Sequence, residues 1–490
     1  MIIAPEPKKP FIVRLQERLA ASRFLTFSVL IHAIIVLMGG SVVLFKQYVD
    51  PPDFSASEGG LVAADETQVQ PPVQPPDPTQ TFQPQTPTIQ APTISAIQTT
   101  NVTTPTFQVQ AALPTVKAMP SDAMAKALQN ATKVTGTKGV AGNIPSSMGS
   151  RVGGTARAMA MQMNGGKKES EEAVLRGLRF LVKTQNADGS WGKGLKPYIA
   201  AMTGFGVLSF LGHGETPVSA EFGPTVQKAL EWITENGTKN QGHLSMEPNF
   251  SQPGVYAHAI AAYGLGEYYS MTKDERVIDL FKQAIGYIVA GQGPDGGWMY
   301  SYDKTESDTS VSGWQIQALK AAHLSGLNID GVDAALDKAM LNLKRVQGPK
   351  GGFGYRKSED KYSLTGVGVL CTYFWKQEKD KSVREGVEFM MDETKKNFPV
   401  EYKNDKANLY AWYYNTQACL MVGGAAWNTW NRLFQDQIVK AQSPDGSWPP
   451  LAKVGGGELQ ADPEGVGPFY RTNLCILMLE VYYRYMPTNK

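Results

Sequence analysis

The chain has 490 residues with 47 basic and 45 acidic side chains, and its formal net charge is +2. This balance argues against a polyanion partner, so we expect no nucleic-acid binding. All nine tryptophans lie between Trp191 and Trp448, whereas 13 of the 31 prolines fall in residues 51–120. We therefore expect one folded domain, in residues 169–490.

An uncharged apolar segment lies near the amino terminus. Residues 24–45 contain no Asp, Glu, Lys or Arg, and 22 residues in a helix span roughly the 30 Å hydrocarbon core of a bilayer. Residues 1–23 are basic, which predicts a cytoplasmic amino terminus and a periplasmic remainder. We expect a single-pass inner-membrane protein. A cleaved signal peptide is the alternative, although the apolar segment is longer than usual for one.

The predicted membrane helix carries two polar side chains, Ser28 and His32, on one helical face. With the basic flank before it and a proline-rich segment after it, this region resembles the TonB family of energy-transducing anchors. The resemblance implies motor subunits of that type as partners. The alternative is an ordinary anchor that tolerates one histidine.

Residues 51–168 are rich in Pro, Gln, Thr and Gly and show no helical or strand periodicity. Such a composition buries too little apolar surface to offset the entropy of ordering. We expect a disordered linker that holds the folded domain away from the bilayer. The alternative is filler whose length has no particular role.

Four similar turns recur in the last two thirds of the chain. Their shared residues are Gln185, Asp188, Gly189 and Trp191; Gln292, Asp295 and Trp298; Gln347 and Phe353; and Gln442, Asp445 and Trp448. Degenerate copies end at Leu244 and Tyr402, which gives six units of about 50 residues. Each unit has an amphipathic helix, a turn, and a helix that is apolar all round and therefore buried. The pattern predicts an all-α fold, a single closed α6–α6 toroid.

The first of these turns resembles the QW repeat of squalene and hopene cyclases, within the terpene-cyclase and prenyltransferase toroid superfamily. The matching residues include Gln185, Gly189 and Trp191. The resemblance extends over about 320 residues, in line with the predicted toroid. It implies a structural role for the turn residues, whose polar groups can satisfy helix ends.

The superfamily's cyclases carry a D-x-D-D-T acid motif at the start of an inner helix. The counterpart here is residues 305–309, with Ser307 at the position of the proton donor and Asp308 as the remaining candidate acid. Asp308 as a helix N-cap is the alternative. The prenyltransferases hold zinc with Asp, Cys and His, but no His lies on the helices that contain Cys371, Cys419 and Cys475. We expect no metal and no cofactor.

The inner helices are rich in aromatic residues, and those that face the axis are expected to line a pocket for an apolar ligand. The candidate binding residues are Tyr256, His258, Trp314, Tyr373, Trp412, Tyr414, Tyr470 and Arg471. The alternatives are packing between helices for the aromatics, a hydrogen-bonded core position for His258, and a surface salt bridge for Arg471.

Three functions stay open on the sequence alone. The first is a binding module for an isoprenoid-like ligand or a protein partner. The second is a divergent terpene cyclase that uses Asp308 as its acid. The third is a force-coupled TonB-like adaptor working through Ser28 and His32.

Overall fold

A computed structural model describes residues 146–247, 249, 250, 252–304, 306–375, 379–451 and 465–485. The predicted membrane helix with Ser28 and His32, and the predicted linker up to residue 145, lie outside these residues. In the described part of the chain, no helix has both the length and the apolar character needed to cross a membrane.

The described residues are almost entirely helical. The α-helices are α1 (Gly154–Met163), α2 (Lys168–Thr184), α3 (Lys196–Gly212), α4 (Gly223–Lys239), α5 (Gln252–Thr272), α6 (Ile278–Ala290), α7 (Thr309–Ser325), α8 (Val332–Val346), α9 (Tyr362–Phe374), α10 (Lys381–Lys396), α11 (Leu409–Val422), α12 (Gly424–Ala441), α13 (Gly467–Leu479) and α14 (Val481–Arg484). Short 3-10 helices occupy Ser146–Arg151, Glu275–Val277 and Tyr300–Tyr302.

Six inner helices form a closed ring. Helices α3, α5, α7, α9, α11 and α13 each pack against the next, and α13 packs back against α3. The helices α2, α4, α6, α8, α10 and α12 form the outer layer and bury one face each, as α2 does with Val174, Leu178 and Leu181. The predicted α6–α6 toroid is confirmed.

Glycines allow the inner helices to approach closely, as their small size predicts. A Cβ on Gly204 of α3 would lie 3.0 Å from backbone atoms of Ala261 in α5. A Cβ on Gly206 would meet the ring of Trp191, and one on Gly368 would meet the ring of Phe353. The glycines therefore make room both for neighbouring backbones and for the aromatic residues of the turns.

The repeated glutamines join each unit to the next. Each side-chain amide donates, over 2.7–3.1 Å, to the carbonyl of a glycine four residues on and to a carbonyl near the start of the next outer helix: Gln185 to Gly189 and Thr225, Gln292 to Gly296 and Ala335, Gln347 to Gly351 and Ser382, and Gln442 to Gly446 and Ala173. Because Ala173 belongs to the first outer helix, the last turn closes the ring.

The turn aromatics and acids are also structural. The indole N–H groups of Trp191, Trp298 and Trp448 each donate to the carbonyl ten residues earlier, over 2.7–2.8 Å. Phe353, which has no such donor, is packed at the equivalent place and is fully buried. The carboxylates of Asp188 and Asp445 accept bonds from the serines two residues on, and Asp295 accepts from Ser307 and Arg345.

The folded region begins earlier than the sequence predicts. The composition predicts a linker through residue 168, but residues 146–166 contain a 3-10 helix and α1, which pack against α14. Arg151 is buried there. Its Nη1 lies 2.7 Å from Glu267, and its Nε donates to the carbonyl of Arg484 over 2.8 Å. These contacts order a segment whose own composition gives no helical signal.

Candidate functional site

Asp308 is the N-cap of inner helix α7. Its Oδ1 accepts hydrogen bonds from the backbone N–H groups of Ser310 (2.8 Å) and Val311 (3.3 Å) and from the Ser310 hydroxyl (2.6 Å). An Asp at this position satisfies N–H groups that have no partner within the helix. The capping role considered from the sequence is therefore the observed one.

The second carboxylate oxygen has no such role. Asp308 is fully buried, and its Oδ2 has no well-formed hydrogen bond among the described residues, where the hydroxyls of Tyr300 and Tyr355 are the groups that approach the carboxylate. A buried carboxylate is costly unless donors surround it. This oxygen is therefore a chemically unusual feature of the face of the ring at which the inner helices begin, which we call its amino-terminal end.

Three tyrosines surround the Asp308 carboxylate. The Tyr256 and Ser310 hydroxyls are 2.9 Å apart, and those of Tyr300 and Tyr355 are 2.6 Å apart. Burial and the charge of Asp308 together raise the pKa of Tyr300 to about 12. The same two causes, burial first, raise the pKa of Tyr256 and Tyr355 well above the usual value. All three phenols are thus neutral at physiological pH.

The cluster reaches the surface through Tyr300 and Tyr355, which are only partly buried. Tyr300 begins the short 3-10 segment and the loop after it, in which Ser301, Tyr302 and Lys304 have φ angles of 59°, 50° and 59°. Side-chain-bearing residues rarely adopt positive φ, and such strain concentrates at binding sites. The cover of the carboxylate is therefore a strained loop.

The segment that resembles the cyclase acid motif is divided between two environments. The Ser307 hydroxyl donates to Asp295 over 2.6 Å and accepts from Asn342 and Arg345 over 2.7 and 3.0 Å, so it belongs to the turn. Thr305 lies outside the described residues. At the rim, Arg356 pairs with Glu306 at 3.3 Å. Asp308 is the one acidic residue of residues 306–309 that enters the ring.

Aromatic side chains of several inner helices meet at the ring axis. The ring of Trp314 lies 5.2 Å from that of Phe205, 5.6 Å from Tyr413 and 5.5 Å from Tyr414, and Phe205 lies 6.0 Å from Tyr470. Because α3, α7 and α11 alternate around the ring, the contacts of Trp314 with Phe205, Tyr413 and Tyr414 cross the axis. Trp314, Tyr414 and Tyr470, expected to line a pocket, therefore contact one another or Phe205.

Two other candidate binding residues support the turns. His258 accepts from the Leu244 amide over 3.1 Å and donates to the Ala284 carbonyl over 2.8 Å, and burial lowers its pKa to about 4. Arg471 is not at the surface, as the salt-bridge alternative supposed. It is 3% exposed and donates to the Trp448 carbonyl over 3.0 Å, because its side chain turns back over the last repeat.

Trp412 and Tyr373 lie away from the Asp308 cluster. The ring of Trp412 faces that of Tyr402 at 6.5 Å, and Tyr373 is the penultimate residue of α9, at the opposite end of the ring. Of the predicted binding residues, the structure thus places Tyr256 beside Asp308.

Sequence reasoning missed Tyr300 and Tyr355. A signal was present, because each lies two residues after the turn aromatic of its unit, Trp298 or Phe353. A shared register in two adjacent repeats places both side chains over the same site.

No metal cluster is evident in the described residues, where no group of three His, Cys, Asp or Glu side chains is arranged to hold an ion. Cys371, Cys419 and Cys475 are buried thiols outside any disulfide, and burial raises the pKa of Cys371 to about 12. These thiols pack as small apolar residues.

Comparisons with known proteins give fold likenesses. No family model matches the chain, and no curated protein matches it. Among solved structures, the alpha-1,6-mannanase GH76A from Salegentibacter sp. HEL1_6 is similar at 12% identity and a TM-score of 0.47, over 64% of this chain and 98% of that one. The type II terpene cyclase MstE from Scytonema is similar at 14% identity and a TM-score of 0.45, over 64% and 98%. The toroid assignment rests on the helix contacts themselves.

Proposed function

We propose that the toroid is a binding module for a protein partner, which inserts a basic side chain against Asp308 at the amino-terminal end of the ring. The observation that carries this proposal is the fully buried Asp308 Oδ2, which accepts no well-formed hydrogen bond from the described residues and is approached by the Tyr300 and Tyr355 hydroxyls.

A lysine or arginine side chain fits this environment. Its N–H groups supply well-aligned charged donors to Oδ2, and charge-assisted bonds are stronger than the neutral ones that tyrosine hydroxyls can offer. A ring of Tyr256, Tyr300 or Tyr355 whose face meets the bound cation would add cation–π attraction of about 0.5–2 kcal/mol. Binding displaces the Tyr300–Tyr355 cover, and the strained loop after Tyr300 gives that movement a structural basis.

The filled axis weighs against the isoprenoid ligand. A polyprenyl chain would need the cluster around Trp314 to open, since rings from α3, α7 and α11 meet there. The cyclase alternative has Ser307 where the proton donor would be, and a serine hydroxyl does not protonate an alkene. The capping bonds to Oδ1 favour the ionised form of Asp308, whereas a proton donor must be protonated.

The anchor and linker predicted from the sequence complete the proposal. Residues 24–45 tether the module to the inner membrane, and the linker presents it on the periplasmic side. Coupling to motor subunits through Ser28 and His32 is a separate prediction. It is tested by whether His32→Ala loses motor copurification while it still inserts into the membrane.

The test uses the full chain in detergent and an immobilised peptide library with Lys, Arg, Gln, Leu or Glu fixed at one central position. We expect enrichment of the Lys and Arg peptides, and its loss in Asp308→Asn. Asn caps helices as well as Asp does, so this variant should fold. Enrichment of Leu peptides, or of Lys peptides by both proteins, would refute the proposal.

A matched control is Asp380→Asn. Asp380 also caps a helix, accepting from the Ser382 N–H over 2.8 Å, but it lies on the outer layer and pairs with Lys344 at 2.9 Å. This variant should keep wild-type peptide binding. Native mass spectrometry of the same sample tests the isoprenoid alternative, because a retained polyprenyl mass would favour an isoprenoid ligand over a protein partner.

A further inference from the structure

A second polar cluster lies at the carboxyl-terminal end of the ring, opposite Asp308. Glu267 pairs with Arg151 at 2.7 Å and with Arg484 at 3.4 Å, and all three side chains are buried. The hydroxyl of Tyr263 accepts from Arg484 over 3.1 Å and lies 2.9 Å from that of Tyr485. The carboxylate of Glu267 is therefore fully used by the two guanidinium groups.

Lys320 of α7 lies beside this cluster but forms no ion pair or hydrogen bond with its members. Its Nζ is 2.9 Å from the centre of the Phe374 ring and 5.7 Å from that of Tyr485. Within the described residues it makes no hydrogen bond or ion pair, and its side chain is still partly exposed. An amine held against aromatic faces, unpaired and reachable from outside, is an unusual arrangement for lysine.

The groups that face Lys320 are Glu267 on α5, Cys371 on α9, Arg151 in the 3-10 helix Ser146–Arg151, and Arg484 on α14. Burial is the main cause that lowers the pKa of Lys320, to about 7, and the charges of Arg151 and Arg484 lower it further. Glu267 and Cys371 act in the opposite direction. Lys320 therefore has a much larger neutral fraction near pH 7 than an ordinary lysine has.

We propose that Lys320 is a nucleophilic amine that forms an imine with the carbonyl carbon of an apolar aldehyde or ketone entering at the carboxyl-terminal end of the ring. Desolvation and neighbouring cations are the known means of activating a lysine for this chemistry. The inference is independent of the proposed partner site, which lies at the other end.

The step balances without a further reactant. The neutral amine attacks the carbonyl carbon, the carbonyl oxygen takes up a proton, and the nitrogen loses one, giving a carbinolamine. Loss of water then leaves the C=N bond of the imine. The Phe374 and Tyr485 rings offer apolar surface to the alkyl chain of the ligand.

Lys273 is an internal control at the same end of the ring. It is also partly exposed and lies over an aromatic ring, with its Nζ 4.9 Å from the centre of Tyr269. Unlike Lys320, its amine donates a hydrogen bond to the Ser325 carbonyl over 2.9 Å. Its accessibility is comparable, but its amine is partnered.

The test treats the full chain with a limiting amount of formaldehyde or hexanal and cyanoborohydride, which traps imines as alkylamines. Mass spectrometry then measures labelling at each lysine from pH 6 to 9. We expect Lys320 to react at least tenfold faster than Lys273 at pH 7, and we expect the labelling rate of Lys320 to level off above about pH 7.

Hexanal tests the ligand class. We expect its preference for Lys320 over Lys273 to exceed that of formaldehyde, because its chain contacts the rings. Equal labelling rates of Lys320 and Lys273 by formaldehyde would overturn the proposal that Lys320 is an activated nucleophile. A hexanal preference no greater than that of formaldehyde would overturn the apolar ligand.

Discussion

The seam between inner helices α9 and α11 gives a sharp test of the ring. A Cβ placed on Gly366 would lie 2.2 Å from Oδ1 of Asn415, 2.8 Å from its backbone nitrogen and 3.0 Å from the carbonyl carbon of Tyr414. The side-chain oxygen can rotate away, but the backbone atoms cannot move without separating the helices. Gly366→Ala should therefore be destabilising.

The size of the effect follows from two opposing contributions. Forcing a methyl group into a packed interior costs about 1–3 kcal/mol, and the backbone contacts place this case in the upper part of that range. Replacing Gly by Ala inside a helix contributes about 1 kcal/mol in the other direction. The net expectation is a loss of about 1–2 kcal/mol in the free energy of unfolding.

Urea unfolding followed by tryptophan fluorescence measures this change, with Gly286→Ala as the matched control. Gly286 is exposed on outer helix α6, and a Cβ there meets nothing within 4 Å, so this variant should be stabilised by up to about 1 kcal/mol. If Gly366→Ala raises the urea midpoint as Gly286→Ala does, α9 and α11 do not pack as closely at Gly366 as described.

Two further predictions concern stability. Trp298→Phe removes the indole that donates to the Ile288 carbonyl over 2.7 Å and leaves a small cavity. The free energy of unfolding, measured in urea, should therefore fall by about 2–4 kcal/mol. An unchanged urea midpoint would contradict the structural role of the turn. Burial raises the pKa of Glu267, but Arg151 and Arg484 outweigh it and lower the pKa from 4.5 to about 2. A lowered folded-state pKa adds stability that is present above about pH 4.5 and lost as the pH falls towards 2. The free energy of unfolding of Glu267→Gln at pH 7 should therefore be about 3–5 kcal/mol below that of wild type, and this difference should shrink below pH 4.5. A difference in stability that does not change with pH would refute the pairing of Glu267 with the two arginines.

The ring itself was predictable because its determinants recur. A glutamine and a glycine at fixed spacing, followed by an aromatic residue, mark the turns, and helices that are apolar all round must be buried. Gln442 illustrates the strength of the pattern. Its contact with Ala173 closes the ring, and the repeat alone is enough to predict that contact.

The direction of individual side chains was not predictable in the same way. A helix that is apolar on every side gives no indication of which residue faces the axis, so Trp412 and Tyr414 were equivalent candidates. In the structure Tyr414 meets Trp314 at the axis, whereas Trp412 faces Tyr402. Tertiary contacts decide between them.

The site at Asp308 and the start of the domain show the same limit of local pattern. Capping by Asp308 could be foreseen, but the tyrosines that cover it come from two loops separated by about 55 residues. Residues 146–166 depend on Glu267 and Arg484, which are more than 100 and 300 residues away. Composition reports nothing about partners at such a distance.

The most direct test of the partner site is a double-mutant cycle by isothermal titration calorimetry. It combines wild type and Asp308→Asn with the most enriched lysine peptide and its norleucine counterpart. The account predicts a coupling of at least 1.4 kcal/mol, a tenfold change in Kd, between the peptide amine and Asp308. Additive effects of the two changes would contradict a basic side chain bound at Asp308.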